Sequence, residues 1–446
     1  MTSIADLVPA LQTLLTTTAE QAGRDSGLIQ RVRVFTGATF VQTLVFGWLG
    51  TPEATLDQLA QTAATLGVPI TGQGIADRFS PQSADCLARV LGAAIQQTIT
   101  ADPTDCAILN RFAGVVVIDG SVIGLPAALA VQFPGGANQT SSHAALKIGV
   151  GVDLVTGRLD GPHLMAARSH DRLLPIQEAP VAPDVLRLAD LGFFDLAVLA
   201  TLTAQRAYWL TRVQVGTVIL DPTGQRLDLL TLLHHRCKRT LDLPILLGVR
   251  ERLPCRLLAE RMPKAVANER RQRLRDEARQ RGQTVSARKL TLADWTIRVT
   301  NVPAERLSVA EAMIVGRVRW QIELVFKLWK REGRIDEWRS AKPWRVLTEV
   351  SAKLLAMVIQ HWILVVTSWQ YPERSMVKGA QTVRAHACYL ACVFHAADQL
   401  ATALASIARC LAAGGRINKR RKRPSTVAVQ RFCHSHCSAI LSCRCR

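Results

Sequence analysis

Residues 112–120 read FAGVVVIDG, and residues 184–192 read DVLRLADLG. Each is a short apolar run that closes on an acid, Asp119 in the first and Asp190 in the second. A continuous run of that length suits a strand covered on both faces. A carboxylate at its end must meet a cation, because an unpaired charge in an apolar setting is very costly. A basic side chain or a metal ion would serve. Two strand-end aspartates brought side by side would suit Mg2+, a hard ion that prefers oxygen ligands. Taken singly, each is equally well a turn or helix-cap aspartate.

Working outward, 144–155 (AALKIGVGVDLV) reads as a second strand, turning at Thr156-Gly157 into a third over 159–167, an antiparallel meander. A helix is expected over 194–206 and another strand over 207–215. Strands and helices alternating in this way predict a mixed α/β sheet. Residues 218–301 are less regular. Strands over 243–250 and 295–299 accompany a basic segment, 250–289, with thirteen Lys or Arg and five Asp or Glu. Its middle, 265–281, reads as a helix charged almost all round, which suits a solvated helix laced with ion pairs or a face turned to DNA.

The first hundred residues read as helical. A helix over 56–66, a Gly67-Val68-Pro69 break and Thr71 as a cap outline a helix-turn-helix. A plain helical domain is the alternative, since the segment lacks basic residues apart from Arg78. After Pro303 and Ser308 one long helix should run to about Gly333, with further helices over 347–366 and 385–413.

The 446 residues allow about three domains and a large core. With 48% hydrophobic and 20% charged residues, a disordered chain is excluded. The formal charge of +20 is unevenly spread: residues 1–105 carry a net −4, which leaves +24 for the remainder. That excess points to a polyanion, nucleic acid first, with ordinary solubility charge as the bland alternative. The most apolar windows, 114–133 and 354–369, are interrupted by Asp119 and Pro126 and by Gln360 and His361. Neither gives the roughly 18 uninterrupted residues of a membrane span. No basic cluster precedes the first apolar residues, as a signal peptide would require, so a cytoplasmic protein without a membrane partner is expected.

Eleven cysteines, most of them isolated, make no disulfide framework. Cys388 and Cys392, one helical turn apart, are expected in the core. The tail 416–446, with nine basic residues and no acids, reads as a disordered, polyanion-seeking appendage. Its Cys433, His434, His436, Cys437, Cys443 and Cys445 suit reduced thiols better than zinc. His143, His163 and His170 have no ligand spacing.

Residues 317–330 read RVRWQIELVFKLWK. On a continuous helix, with Glu323 at zero, Arg319 falls at about −40°, Lys327 at about +40° and Lys330 at about −20°. The rest of the surface is mostly apolar, which predicts a helix buried on most sides with one charged seam. A carboxylate between cations there suits a metal ligand beside anchors for DNA phosphates; two i,i+4 ion pairs are the plainer reading. Three acids, 71 and 133 residues apart, could hold two Mg2+ ions. One would activate water or a 3′-hydroxyl and the other would stabilise the leaving oxygen. No GxxxxGK[ST] loop is present, so nucleotide hydrolysis is not expected to drive the reaction.

Residues 117–126 (VIDGSVIGLP), 188–195 (LADLGFFD) and 317–330 resemble the three acidic boxes of DDE transposases of insertion-sequence family four, the hairpin-type cut-and-paste enzymes. That family's third box reads Tyr, two residues, Arg, three residues, Glu, six residues, Lys. Arg319, Glu323 and Lys330 fit it, while Gly316 stands at the Tyr position. In the first box Gly120 separates Asp119 from Ser121, where the family commonly has Asp followed by Ser. The likeness covers roughly residues 56–366.

The resemblance implies an α/β fold: a ribonuclease H-like catalytic domain interrupted by a β-rich insertion, with a helical N-terminal domain and a helical C-terminal region. The layout becomes a helical domain (1–110), a first catalytic part (111–217), a basic insertion (218–302), a second catalytic part carrying the Glu helix (303–345), C-terminal helices (346–415) and the basic tail (416–446). Asp119, Asp190 and Glu323 become the catalytic residues and metal ligands for Mg2+, with Mn2+ as the alternative. Arg319 and Lys330 would hold DNA, with Lys327 on the same seam, and a phosphate contact is missing at Gly316. Trp295, 21 residues before Gly316, becomes the platform for a flipped base, a core Trp being the equal alternative.

The implied activity is Mg-dependent strand cleavage and strand transfer at the ends of an insertion sequence. The partners would be double-stranded DNA, as terminal repeats and target, and a second copy that makes a dimer on DNA. A catalytically inactive, repressor-like DNA-binding derivative and a ribonuclease H-like nuclease are the alternatives.

Overall fold

The computed structural model describes residues 1–136, 143–236, 239–371 and 373–417. Six helices come first: α1 (Ile4–Thr13), α2 (Ala19–Asp25), α3 (Gly37–Gly50), α4 (Leu56–Thr65), α5 (Gly72–Ala76) and α6 (Pro81–Ile95). Then follow β1 (Gly114–Leu125), β2 (Ala144–Asp153), β3 (Leu159–Ala166), α7 (Pro175–Glu178), β4 (Val185–Leu188), α8 (Leu196–Ala204) and β5 (Tyr208–Thr211). The next stretch holds β6 (Ile219–Leu220), α9 (Leu229–Arg236), β7 (Thr240–Leu247), β8 (Leu253–Arg261), α10 (Lys264–Gln280), α11 (Ala287–Leu292) and β9 (Trp295–Thr300). Five helices follow among the described residues: α12 (Val309–Val318), α13 (Gln321–Arg331), α14 (Pro343–Ser368), α15 (Met376–Val393) and α16 (Ala397–Gly414).

These elements form two compact units that interleave along the sequence. Among the described residues, 1–105, 119–170 and 321–417 form the first, and 106–118 and 171–320 the second. The strand β1 contributes to both, and its character changes where the division falls. From Gly114 to Ile118 it is buried almost continuously; beyond Asp119 it alternates, with Ile123 and Leu125 buried and Val122 exposed.

In the first unit, α14 is the central helix, buried along almost its whole length and packed by α3, α6 and α16. Among the described residues it alone is long and apolar enough to cross a membrane, and 94% of its apolar window is buried inside the fold. The surrounding helices start where a hydroxyl can accept an orphan backbone N–H. Thr36, Thr55 and Ser80 form reciprocal capping boxes at α3, α4 and α6. The strand order here is β3-β2-β1, with β2 and β3 antiparallel (Lys147 opposite Met165). A helix, a Gly67 turn with positive φ and the short α5 occupy the helix-turn-helix segment.

In the second unit the strand order is β1-β4-β5-β9-β8-β7-β6. β1, β4 and β5 are parallel, with Val117 opposite Leu188 and Leu188 opposite Leu210. From β5 onward every pairing is antiparallel. One core of Trp209, Leu233, Leu247, Leu257 and Val299 runs under these strands.

Several expectations are corrected. β1 does not end at Asp119 but continues six residues to Leu125, so this acid lies within a strand. Within the segment expected as an insertion, β9 pairs with β5 and so continues the same sheet. The strand β8 lies inside the segment read only as basic: its Arg256 is neutralised across the sheet by Asp242 of β7. The helix expected from Ser308 to Gly333 breaks at Arg319-Trp320 into α12 and α13, and that over 385–413 breaks into α15 and α16. The strand over 207–215 is only the four residues of β5. The cysteine- and histidine-bearing tail lies outside the described residues.

Candidate active site

Asp119 is half-buried in β1, and its Oδ1 accepts a hydrogen bond from the Gly120 backbone N–H at 2.8 Å. In the same unit, α13 buries Ile322, Val325, Phe326, Leu328 and Trp329, leaving Glu323 half-buried in its first turn and Lys327 exposed. Its hydrophobic residues thus form one face, correcting the expectation of a helix buried on most sides. The Lys330 Nζ donates to the Val122 carbonyl at 2.9 Å, which ties α13 to the outer half of β1. The structure therefore brings the strand of Asp119 and the helix of Glu323 together within one unit.

Asp190 lies in the second unit, two residues past Leu188, the last residue of β4. Its backbone caps a short 3-10 turn, Leu191–Phe193, but its side chain makes no capping bond. The carboxylate is instead approached by Arg319, whose Nη2 lies 3.9 Å from Oδ2. Since the chain breaks between α12 and α13, the angular relation of Arg319 to Glu323 on one continuous helix does not hold.

Arg298 carries no motif that marks it in the sequence. It sits on β9 and is only 7% exposed. Burial pushes its guanidinium down to about 10; Arg212, Arg319 and Arg270 add to that shift, while Asp190 opposes it. The Arg298 guanidinium fills the place where Gly316 has no side chain, and a Cβ there would overlap it. The glycine at the Tyr position thus has a local cause. On β9, Arg298 lies on the face opposite Trp295 and Val299, the face that meets Gly316.

Trp295 itself is a correction. It is 5% exposed within the core of the second unit, with the Arg261 guanidinium 5.4 Å from its ring centre. Its ring packs inside the fold rather than at the surface. Trp320, between α12 and α13, is by contrast 39% exposed. Cys388 and Cys392 are exposed rather than in the core. His163 pairs with Asp160 at 2.7 Å.

Among the described residues, no group of three or more His, Cys, Asp or Glu side chains is gathered for a metal ion. By chemistry, the carboxylates of Asp119, Asp190 and Glu323 suit a hard divalent ion.

A mixed sheet with a parallel β1-β4-β5 segment, flanked by helices, makes this an α/β protein. The family model of the transposase DDE domain matches residues 110–359, and the chain belongs to that family. Among similar proteins, the transposase for insertion sequence element IS231F of Bacillus thuringiensis subsp. israelensis is 23% identical over 366 residues, covering 76% of each chain. The transposase for IS231B, from B. thuringiensis subsp. berliner, is 24% identical over 365 residues, covering 76% of this chain and 75% of its own. The transposase for IS1151 of Clostridium perfringens is 22% identical over 362 residues, covering 76% of each.

Proposed function

We propose that this chain is a cytoplasmic DNA transposase that cuts and joins phosphodiester bonds at the ends of an insertion sequence. Asp119, Asp190 and Glu323 are its catalytic acids and the ligands for Mg2+, or Mn2+ in its place. The observation that carries the proposal is the family match over 110–359, which spans all three acids. Relatives named as transposases of insertion sequences support element ends as the substrate.

The bound ions would supply an activated water or 3′-hydroxyl and would stabilise charge on the leaving 3′-oxygen. The side chains prepare for that chemistry. Arg319 lies 3.9 Å from the Asp190 carboxylate and helps to orient it. Lys330, anchored on the Val122 carbonyl, fixes α13 against β1 and so positions Glu323. Lys327, exposed one turn from Glu323, is placed for a phosphate, as a flexible point charge. Holding both element ends at once requires two copies, so the working species on DNA is a dimer.

The test uses duplex DNA that flanks the coding region, with full-length protein and Mg2+ or Mn2+. Wild-type protein should cut the strand at the element end and then join it. Asp119→Asn, Asp190→Asn and Glu323→Gln should each abolish cutting while leaving binding intact. Undiminished cutting by any of the three would remove that acid from the site. Binding without cutting under both metals would leave only the repressor-like reading.

A further inference from the structure

We infer that Arg298 binds an anion, gripping a backbone phosphate of the DNA beside Asp190 and Arg319, and that Gly316 is glycine because this guanidinium occupies the space of its side chain. The identity of the anion rests on the transposase reading; the need for one does not.

A guanidinium carries five N–H donors and no acceptor. Arg298 is almost fully buried, and among the described residues its Nε finds no hydrogen-bond partner. The charged groups acting on it are Arg212, Arg319 and Arg270 against one carboxylate, Asp190. Two of these already have work elsewhere. Arg270 donates to the Trp295 carbonyl and to Thr296 Oγ1, each at 3.0 Å, and Arg319 lies against Asp190. A buried cation among like charges, with a donor left over, is unfavourable for the protein alone. A phosphodiester would reverse this balance, since it supplies negative charge and oxygens that match the guanidinium fork.

The position agrees with the third box. Where the resemblance expects a Tyr hydroxyl on α12, this chain has Gly316, and the Arg298 guanidinium reaches the same place from β9. The donor has changed strand and gained a charge. An Arg in that role without the glycine would collide with the helix, so the two residues act as a pair.

The experiment measures binding of full-length protein to duplex DNA carrying the element end, by anisotropy, from about 50 to 200 mM salt. Arg298→Met keeps the length of the side chain and removes its charge. Loss of one phosphate contact should lower the slope of log K against log salt by about 0.9. Its thermal midpoint should equal or exceed that of wild type, because an uncompensated buried charge is gone. Gly316→Ala should lower the slope in the same way by displacing the guanidinium, and adding it to Arg298→Ala should cost no further affinity. An unchanged slope in a folded Arg298→Met protein overturns the inference. So does unfolding of Arg298→Met, which would make the guanidinium a structural prop. Failure of wild-type protein to cut the same DNA would count against the transposase reading instead.

Discussion

Two buried cations, Lys353 in the first unit and Arg298 in the second, are treated in opposite ways. In the first unit Lys353 and Glu349, one turn apart on α14, meet at 2.8 Å with side chains 2% and 4% exposed. The ammonium also donates to the carbonyls of Arg334 and Glu337, at 3.1 and 2.7 Å. Every direction in which Lys353 could seek a partner is thus served from within the fold. In the second unit Arg298 is nearly as buried, yet its nearest charged company is mostly other arginines. A complete internal pairing marks a structural charge, and an incomplete one marks a charge held for something else.

The sharpest way to break that contrast is to remove one half of the complete pair. Burial pushes the Glu349 carboxyl up, and Lys353 only partly offsets that. Lys353→Met should therefore leave this buried acid without its ion-pair partner and destabilise the protein by about 3–5 kcal/mol in urea unfolding. Replacing both residues, Glu349→Leu with Lys353→Met, should recover most of that loss, because a well-packed apolar pair avoids desolvation altogether. If Lys353→Met proved as harmless as Arg298→Met is expected to be, burial alone would not distinguish the two charges.

A second arginine sharpens the comparison within one unit. Arg187 on β4 is 4% exposed, but its guanidinium donates to the backbone carbonyls of Gln177, at 3.0 Å, and Ile176. The Gln177 side chain in turn donates to the Phe193 carbonyl at 2.9 Å, just beyond Asp190. Arg187 is thus bound into the support of the loop that carries the acid. Arg187→Met should cost about 1–3 kcal/mol by leaving two carbonyls without donors. It should also slow cutting while affecting the salt dependence of DNA binding little, the reverse of the pattern for Arg298→Met.

These contrasts explain what could be read in advance. β1, β2 and β4 were legible as short, largely apolar runs, and β3 as the strand that follows the Thr156-Gly157 turn. The three acids were legible as a spaced set; their setting was not. Asp119 looked terminal because the run of Val115 to Ile118 ends there, whereas β1 continues with alternating exposure. β8 was hidden because it lies in a segment read only as basic, and only the structure shows Arg256 paired with Asp242 of β7. The break between α12 and α13 has neither Pro nor Gly at Arg319-Trp320, so no local signal announces it. Arg298 was invisible for a similar reason: its burial depends on Gly316, 18 residues away, and on packing that a linear pattern does not encode.

The gentlest test uses a group that is neutral rather than charged. His361, fully enclosed on α14, has its Nε2 2.8 Å from the Gly157 carbonyl, an acceptor, so that nitrogen carries the hydrogen. Burial pushes its pKa below the ordinary 6.5, while the carbonyl bond pulls weakly the other way. As pH falls through 6.5 the unfolded chain takes up a proton that the folded chain refuses, so the unfolded state gains. The contribution of His361 is therefore complete above pH 6.5 and is lost as the pH drops toward the depressed folded value. His361→Gln keeps a donor for Gly157 and cannot titrate. Thermal midpoints of the two proteins should then run parallel above pH 7 and diverge below 6.5, with wild type falling faster. Parallel curves down to pH 5 would mean that the enclosure of α14 tolerates an imidazolium. Complete internal pairing would then not be what separates this helix from the surroundings of Arg298.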